Sequence, residues 1–398
     1  MHFETPFFHA VSALASTILY SWWTTYFSYK SALIFASSCQ MIGCLVYASA
    51  LPCQSLTLVI LGRLIGGFGS ARSINRRYIA DTYPVQYRTA ASAGFVTAGA
   101  VGTSMGPALA ALLYFTVSEE SHNLYWQLEN APGWTMGSLW AIYIVTLSIS
   151  FHEPTRPNKP SLRTKIKSNK ATRYGEEKVA LITKHPVNGT TIVSSDPPLW
   201  KIVPVNTTFC VYFTLKFILE SLLSSTAILT DHYFNWSGEV SGWYLAVLGL
   251  LVLPANWVIA QASRRYDDRD LILATQGFML LGCLAILDVG RTYRVPHYLF
   301  GSTLIFVAAN ALEGPNMSLL SKTIPPRYSK GLFNVGLLAT ESGTLGRAVG
   351  DVILTLCGSG GMSRILNNAF GMMSVLTGAT IVLCLAVYDQ LEPHERDD

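Results

Sequence analysis

The residues whose types and spacing could do chemistry are basic side chains placed inside an apolar segment. Residues 62–81 read GRLIGGFGSARSINRRYIAD and continue an apolar run that begins at Leu56. Arg63 and Arg72 fall at depths where a membrane-spanning helix should be uncharged. Each costs about 2.5–3.5 kcal/mol at a helix centre on the insertion scale, and such residues usually line a water-filled path or bind a substrate. The segment therefore favours a membrane transporter for an anion.

Helix geometry limits what these arginines can do together. In a continuous helix, Arg63 and Arg72 face opposite sides and differ by roughly 13 Å in depth, so they cannot both contact one small ligand. The alternative for both is a structural pair with an acid on another helix. Arg76 is a further candidate ligand, and its alternative is an ordinary cytoplasmic anchor, together with Arg77. Small residues in this segment predict close approach of another helix, and they are Gly62, Gly66 and Gly69.

Two later apolar segments each carry charged or polar residues close together in the sequence. Lys216 and Glu220 are four positions apart, so they share a helix face. They are predicted to belong to a substrate site, and the alternative is a salt bridge between the two residues. Glu313 and Asn316 flank Gly314 and Pro315, where freed backbone groups require protein or water to satisfy them. The sequence predicts Asn316 as a ligand and Glu313 as a proton carrier or charge partner.

A third segment places Arg347 and Asp351 on one face, with Glu341 about 120° away. Arg347 is predicted to bind a phosphate-like group while Asp351 orients it or relays protons, and a structural pair is the alternative. The planar guanidinium group of arginine can donate paired hydrogen bonds to a tetrahedral oxyanion. Buried carboxylates such as Glu341 could carry protons whose movement is coupled to transport. No catalytic or cofactor signature is present, so we expect neither an enzyme nor a bound cofactor or metal.

The composition of the chain shows where these residues must sit. Of 398 residues, half are hydrophobic and 13% are charged, whereas soluble domains carry about 25% charged residues. The net charge of +4 lies mostly in loops, which favours a role in topology and argues against nucleic-acid binding. The chain is therefore predicted to be an all-α membrane protein that contacts lipids.

Eleven apolar segments are long enough to cross about 30 Å of hydrocarbon. They lie near residues 9–27, 31–50, 56–78, 89–115 and 133–151, and then near 206–230, 240–262, 271–289, 297–320, 332–356 and 365–388. Residues 1–152 are predicted to form a bundle of five helices, 153–200 a cytoplasmic linker, 201–390 a bundle of six helices, and 391–398 a cytoplasmic tail. Lysines and arginines in alternate loops place the carboxyl terminus in the cytoplasm.

An internal repeat supports this division into two bundles. Three glycines in one segment match three in another at a constant offset of 244 positions, namely Gly99, Gly102 and Gly106 with Gly343, Gly346 and Gly350. Parallel halves of this kind are typical of major facilitator transporters. Because the second half has six predicted helices and the first has five, the repeat predicts twelve helices in all. The first of the twelve is then expected to be absent from this sequence. The glycines are expected to be packing contacts, including Gly102 and Gly106.

Four runs together resemble one group of proteins. They are residues 62–81, FNWSGEVSGWYLAVLGL from Phe234, ALEGPNMSLLSK from Ala311 and LLATESGTLGRAVGD from Leu337. They are similar to the SPX-domain major facilitator proteins, which are vacuolar phosphate transporters of plants and their relatives. The resemblance implies a major facilitator fold, inorganic phosphate as substrate and a vacuolar or lysosome-like membrane. The soluble SPX domain of that family is absent from this sequence, so a partner supplying it in trans is an expectation.

The predicted function is therefore phosphate transport by alternating access, with the anion bound by arginine and lysine near the membrane midplane. Two alternatives stay open. The same residues would suit a transporter or channel for chloride, sulfate or an organic anion, and a truncated chain could be a membrane protein that does not transport.

Overall fold

A computed structural model describes residues 4–83, 85–117, 126–127, 129–153, 198–288, 293–324, 335–358 and 362–391. The described helices of the first half are α1 Glu4–Tyr26, α2 Tyr29–Ala48, α3 Leu56–Phe68, α4 Arg72–Thr82, α5 Val85–Thr116 and α6 Ala131–Ser150. Those of the second half are α7 Val203–Phe234, α8 Gly238–Ala262, α9 Asp268–Ile286, α10 Val295–Thr323, α11 Val335–Gly358 and α12 Met362–Ala386. Short 3₁₀ helices cover Leu199–Lys201 and Tyr388–Leu391.

The helices lie where the apolar segments predicted them, and the described residues contain no strand. Six helices are both long and apolar enough to cross a membrane by composition, namely α2, α7, α8, α9, α10 and most of α12. Many large apolar side chains point outward, such as Ile149 with 75% of its surface exposed and Val375 with 73%. Such an outer surface suits hydrocarbon. The all-helical fold is confirmed, and the number of eleven crossings stays a prediction.

The second half has the larger core. Buried residues of α7 to α12 form one cluster around Phe217, Phe306 and Phe370. In the first half, a smaller cluster surrounds Tyr20 and Tyr29. The two halves meet where α1 packs against α11 and α5 packs against α8, with α4 also touching α11. Side chains on α4, α7, α10 and α11 can therefore converge between the halves.

Glycines allow several helices to approach closely. A Cβ on Gly62 would lie 2.7 Å from the backbone nitrogen of Tyr47, and one on Gly69 would lie 2.7 Å from that of Gln40. Gly66 packs on the side chains of Gln40 and His9. These contacts confirm the prediction of close packing at Gly62, Gly66 and Gly69.

The glycine repeat behaves differently in the two halves. A Cβ on Gly350 would lie 2.9 Å from the carbonyl oxygen of Phe217, and one on Gly346 would overlap that of Phe213. Gly343 lies against the Tyr212 ring, so all three glycines of α11 pack on α7. In α5, by contrast, no described atom lies within 4 Å of a Cβ on Gly102 or Gly106. The packing prediction is confirmed for α11 and is wrong for these two positions in the described structure.

One interrupted helix differs from the sequence prediction. The expected single helix over residues 56–78 ends at Phe68 and restarts at Arg72, with Gly69 closing the first part. The continuous-helix geometry used to relate Arg63 to Arg72 is therefore wrong. By contrast, α10 runs through Pro315 as one helix, as the apolar segment 297–320 predicted.

Candidate functional site

A closed charge cluster forms around the carboxylate of Glu313 on α10. Lys216 of α7 donates to Oε2 of Glu313 at 2.6 Å, and the Tyr212 hydroxyl donates to Oε1 at 2.9 Å. Arg76 of α4 reaches the same Oε1 at 3.2 Å. The side chains of Lys216 and Glu313 are only 8% and 9% exposed. The carboxylate is thus satisfied by three donors in a nearly dry setting.

Arg76 joins the two halves of the protein at this cluster. Its guanidinium also donates to the Tyr212 hydroxyl at 2.5 Å and to Oγ1 of Thr340 on α11 at 3.2 Å. It lies 5.3 Å from the centre of the Tyr212 ring, as does the Lys216 ammonium. All these partners belong to the second half, whereas Arg76 belongs to the first. The alternative interpretation of Arg76 as a cytoplasmic anchor is therefore wrong.

Arg77, its neighbour, has a role inside the first half. It donates to the backbone oxygen of Ser21 at 2.7 Å and to the Thr25 hydroxyl at 2.8 Å, and it pairs with Asp81 at 3.5 Å. Two adjacent arginines on one helix therefore serve different purposes, because Arg76 faces the other half and Arg77 faces α1.

A second, accessible group consists of Arg72, Arg347 and Glu220. Nε of Arg347 lies 3.7 Å from Oε2 of Glu220, and both side chains are 24% exposed. Arg72 is exposed, and it has no hydrogen bond or ion pair to any described residue. It nevertheless lies close enough to Arg347, Glu313 and Glu220 to interact with them electrostatically. Two guanidinium groups thus share a region that solvent can reach between the halves.

The start of α4 adds to the positive potential at Arg72. Ala71 occupies the cap position, and no side chain accepts a hydrogen bond there. The first amide groups of a helix have no partner within the helix, and its amino-terminal end carries partial positive charge. The helix end and the Arg72 side chain therefore favour the same kind of ligand, an anion.

The charged residues for which a pair within one helix was the alternative are instead paired between helices. Lys216 pairs with Glu313 rather than with Glu220, and Arg347 approaches Glu220 rather than Asp351. Asp351 is 2% exposed and instead accepts a hydrogen bond from the Ser224 hydroxyl at 3.2 Å. The two alternative interpretations, a salt bridge between Lys216 and Glu220 and a structural pair of Arg347 and Asp351, are therefore wrong.

The remaining predicted residues lie apart from these two groups. Arg63 stacks on the Tyr47 ring at 4.6 Å, and its buried Nε has no described partner. Asn316 is fully buried and donates to the backbone oxygen of Thr208 at 3.0 Å. Glu341 lies against Thr17 of α1, and its Oε1 is buried without a described hydrogen-bond partner.

Sequence reasoning missed two members of the closed cluster, Tyr212 and Thr340. Tyr212 precedes Lys216 by one helical turn, so the i, i+4 rule could have identified it. Thr340 carries no charge, and its role depends on contact with the other half, which leaves no signal in the sequence. With Arg76 included, the predicted site residues comprise five cations and four carboxylates.

The sequence pattern of the Major Facilitator Superfamily matches residues 7–350. The chain belongs to this superfamily. It is 36% identical to an SPX domain-containing membrane protein of Arabidopsis thaliana over 407 aligned residues, which cover 96% of this chain and 58% of that protein. An SPX domain-containing membrane protein of Oryza sativa subsp. japonica is also 36% identical, with the same coverage. The chain thus spans little more than half the length of these relatives.

Solved structures agree on the fold. The D-xylose-proton symporter superposes with a TM-score of 0.70 and 14% identity, covering 99% of this chain and 90% of that one. The human organic anion transporter MFSD10 superposes with a TM-score of 0.62 and 16% identity, covering 98% and 83%. The predicted fold and the resemblance to the SPX-domain proteins are confirmed. This major facilitator protein is a multi-pass integral membrane protein.

Proposed function

We propose that this protein transports inorganic phosphate across a vacuolar or lysosome-like membrane by alternating access. The observation that carries the proposal is the accessible pair of guanidinium groups, Arg72 and Arg347, which lie between the halves. Guanidinium forks bind tetrahedral oxyanions through paired, charge-assisted hydrogen bonds. Arg72 has no described counter-ion to displace, so an anion can bind it without first breaking a salt bridge.

The closed cluster supports a transport cycle in which the halves separate. Because Arg76 lies in the first half and Tyr212, Glu313 and Thr340 lie in the second, opening at this level must break their hydrogen bonds. Alternation between two such arrangements requires differential binding of the substrate to the two states. The accessible group would bind the anion, and the closed cluster would hold the empty halves together.

Phosphate is favoured over other anions by the resemblance to the SPX-domain proteins. The same resemblance supports the vacuolar location, and the lysine and arginine loops support a cytoplasmic carboxyl terminus. An SPX domain supplied in trans by a partner is part of the proposal. The second candidate is transport of another anion, since two arginines would also attract chloride, sulfate or an organic anion.

Uptake of radiolabelled phosphate into proteoliposomes containing the full chain tests this function. Arg72→Gln and Arg347→Gln should each lower uptake at least about tenfold, because a lost hydrogen bond to a charged group is worth about 1.5–3 kcal/mol. Arg264→Gln, at an exposed arginine between α8 and α9, is the matched control and should transport normally. Transport of chloride but not phosphate would favour the second candidate, and a chain inert toward every anion would refute transport.

A further inference from the structure

We propose that Glu220 selects oxyanions that carry a proton, such as hydrogen phosphate, over oxyanions that carry none, such as sulfate. This proposal rests on the proposed anion site at Arg72 and Arg347. It adds a specificity residue to that site, and the residue has the same sign of charge as the ligand.

The carboxylates near the site differ in how well they are satisfied. Glu313 accepts hydrogen bonds from Lys216, Tyr212 and Arg76 and is nearly buried. Asp351 is buried and bound to a serine hydroxyl. Glu220 is accessible, and within the described structure its one polar contact is the loose approach of Arg347 at 3.7 Å. That distance exceeds the normal range of a hydrogen bond.

The position of Glu220 leaves acceptor capacity beside the ligand. An ionised carboxylate has about four lone-pair sites and no donor. Glu220 lies beside Arg347 and within electrostatic reach of Arg72, so an anion bound by both guanidinium groups would lie near its oxygens. The free lone pairs would then face an oxygen of that anion.

The protonation of the ligand decides whether this contact is favourable. A hydrogen phosphate oxygen that bears a proton can donate to the carboxylate, which forms a strong charge-assisted hydrogen bond. Every oxygen of sulfate is an acceptor, so two like-charged acceptors would face each other without a proton between them. Sites that require a donor from their ligand reject analogues lacking it more strongly than apolar pockets reject small size changes.

Competition binding to the purified full chain tests the inference. Labelled phosphate is bound, and unlabelled arsenate or sulfate competes; arsenate keeps a proton at neutral pH, and sulfate does not. For the unmodified protein, sulfate should compete at least about tenfold less well than arsenate, as expected for a lost hydrogen bond to a charged group. Glu220→Gln should bring the two competitors to within about threefold, because the glutamine amide can donate as well as accept.

Two further variants keep the outcome interpretable. Glu220→Asp retains the carboxylate and should still discriminate against sulfate. Glu239→Gln makes the same chemical change in the first turn of α8, away from the cleft, and should behave like the unmodified protein. If Glu220→Gln binds phosphate and still rejects sulfate as strongly as before, the inference is wrong while the anion site stands. If the unmodified chain binds neither phosphate nor arsenate, the proposed function itself fails.

Discussion

Removal of the Glu313 carboxylate should destabilise the protein more than removal of either cation that it binds. At an effective dielectric near 20, two unit charges about 4 Å apart interact by about 4 kcal/mol. Glu313 takes part in two such attractions, one with Lys216 and one with Arg76, whose contacts are 2.6 and 3.2 Å. Glu313→Gln removes both at once and leaves two buried cations.

The magnitude follows from this charge count. Breaking a buried ion pair by removing one partner costs about 3–5 kcal/mol, and Glu313→Gln should lie at the upper end because two cations lose their partner. Lys216→Met leaves Arg76 paired with Glu313, so we expect a smaller loss of about 1–3 kcal/mol from one charged hydrogen bond. The double variant should be less damaged than Glu313→Gln alone, because one of the two orphaned cations is gone.

The assay is the thermal unfolding midpoint of the detergent-purified protein, measured for both single variants and the double variant. The expected order of stability is Lys216→Met above the double variant, and the double variant above Glu313→Gln. Non-additivity is itself informative, since contacting residues in one network usually show coupling of about 0.5–3 kcal/mol. If Glu313→Gln proves as stable as Lys216→Met, the carboxylate does not neutralise both cations and the reasoning is refuted.

Two further predictions concern packing and the buried amide. Gly346→Ala should destabilise the protein by about 1–3 kcal/mol through overpacking on α7. Gly102→Ala, with open space around its Cβ, should instead gain about 0.5–1 kcal/mol in helix stability. Equal effects of the two variants on the unfolding midpoint would contradict the structure. Asn316→Ala should lower stability by about 1–3 kcal/mol, because the hydrogen bond to the backbone oxygen of Thr208 is lost. The Kd for labelled phosphate should change by less than about twofold. A large change in Kd would show that Asn316 binds the ligand after all.

Hydropathy and glycine patterns predicted the helices because both depend on local composition. Apolar runs must be helical in a membrane, where every backbone polar group needs an internal partner. The contact of Gly343, Gly346 and Gly350 with another helix followed from their size alone. The exposed face at Gly102 was not predictable in this way, because the same residue type packs only where a neighbouring helix is present.

The ion pairs were harder to predict, and the failure has a physical cause. Sequence spacing identifies neighbours within a helix, so Lys216 was matched with Glu220 and Arg347 with Asp351. The structure pairs each basic residue with a carboxylate on another helix instead. Helix packing decides which faces meet, and that information lies in long-range contacts. Arg76 shows the same limit, because only the approach of the second half distinguishes it from a membrane-edge anchor.

The division of charge between the halves creates an electrostatic attraction between them. Arg63, Arg72 and Arg76 come from the first half, and the carboxylates Glu220, Glu313, Glu341 and Asp351 all come from the second. The halves therefore attract each other at Arg76 and Glu313 even without a ligand. An anion bound at Arg72 adds negative charge within electrostatic reach of Glu313 and Glu220. Because the anion site and the contact between the halves interact electrostatically, we expect substrate binding to change the strength of that contact, and the reverse.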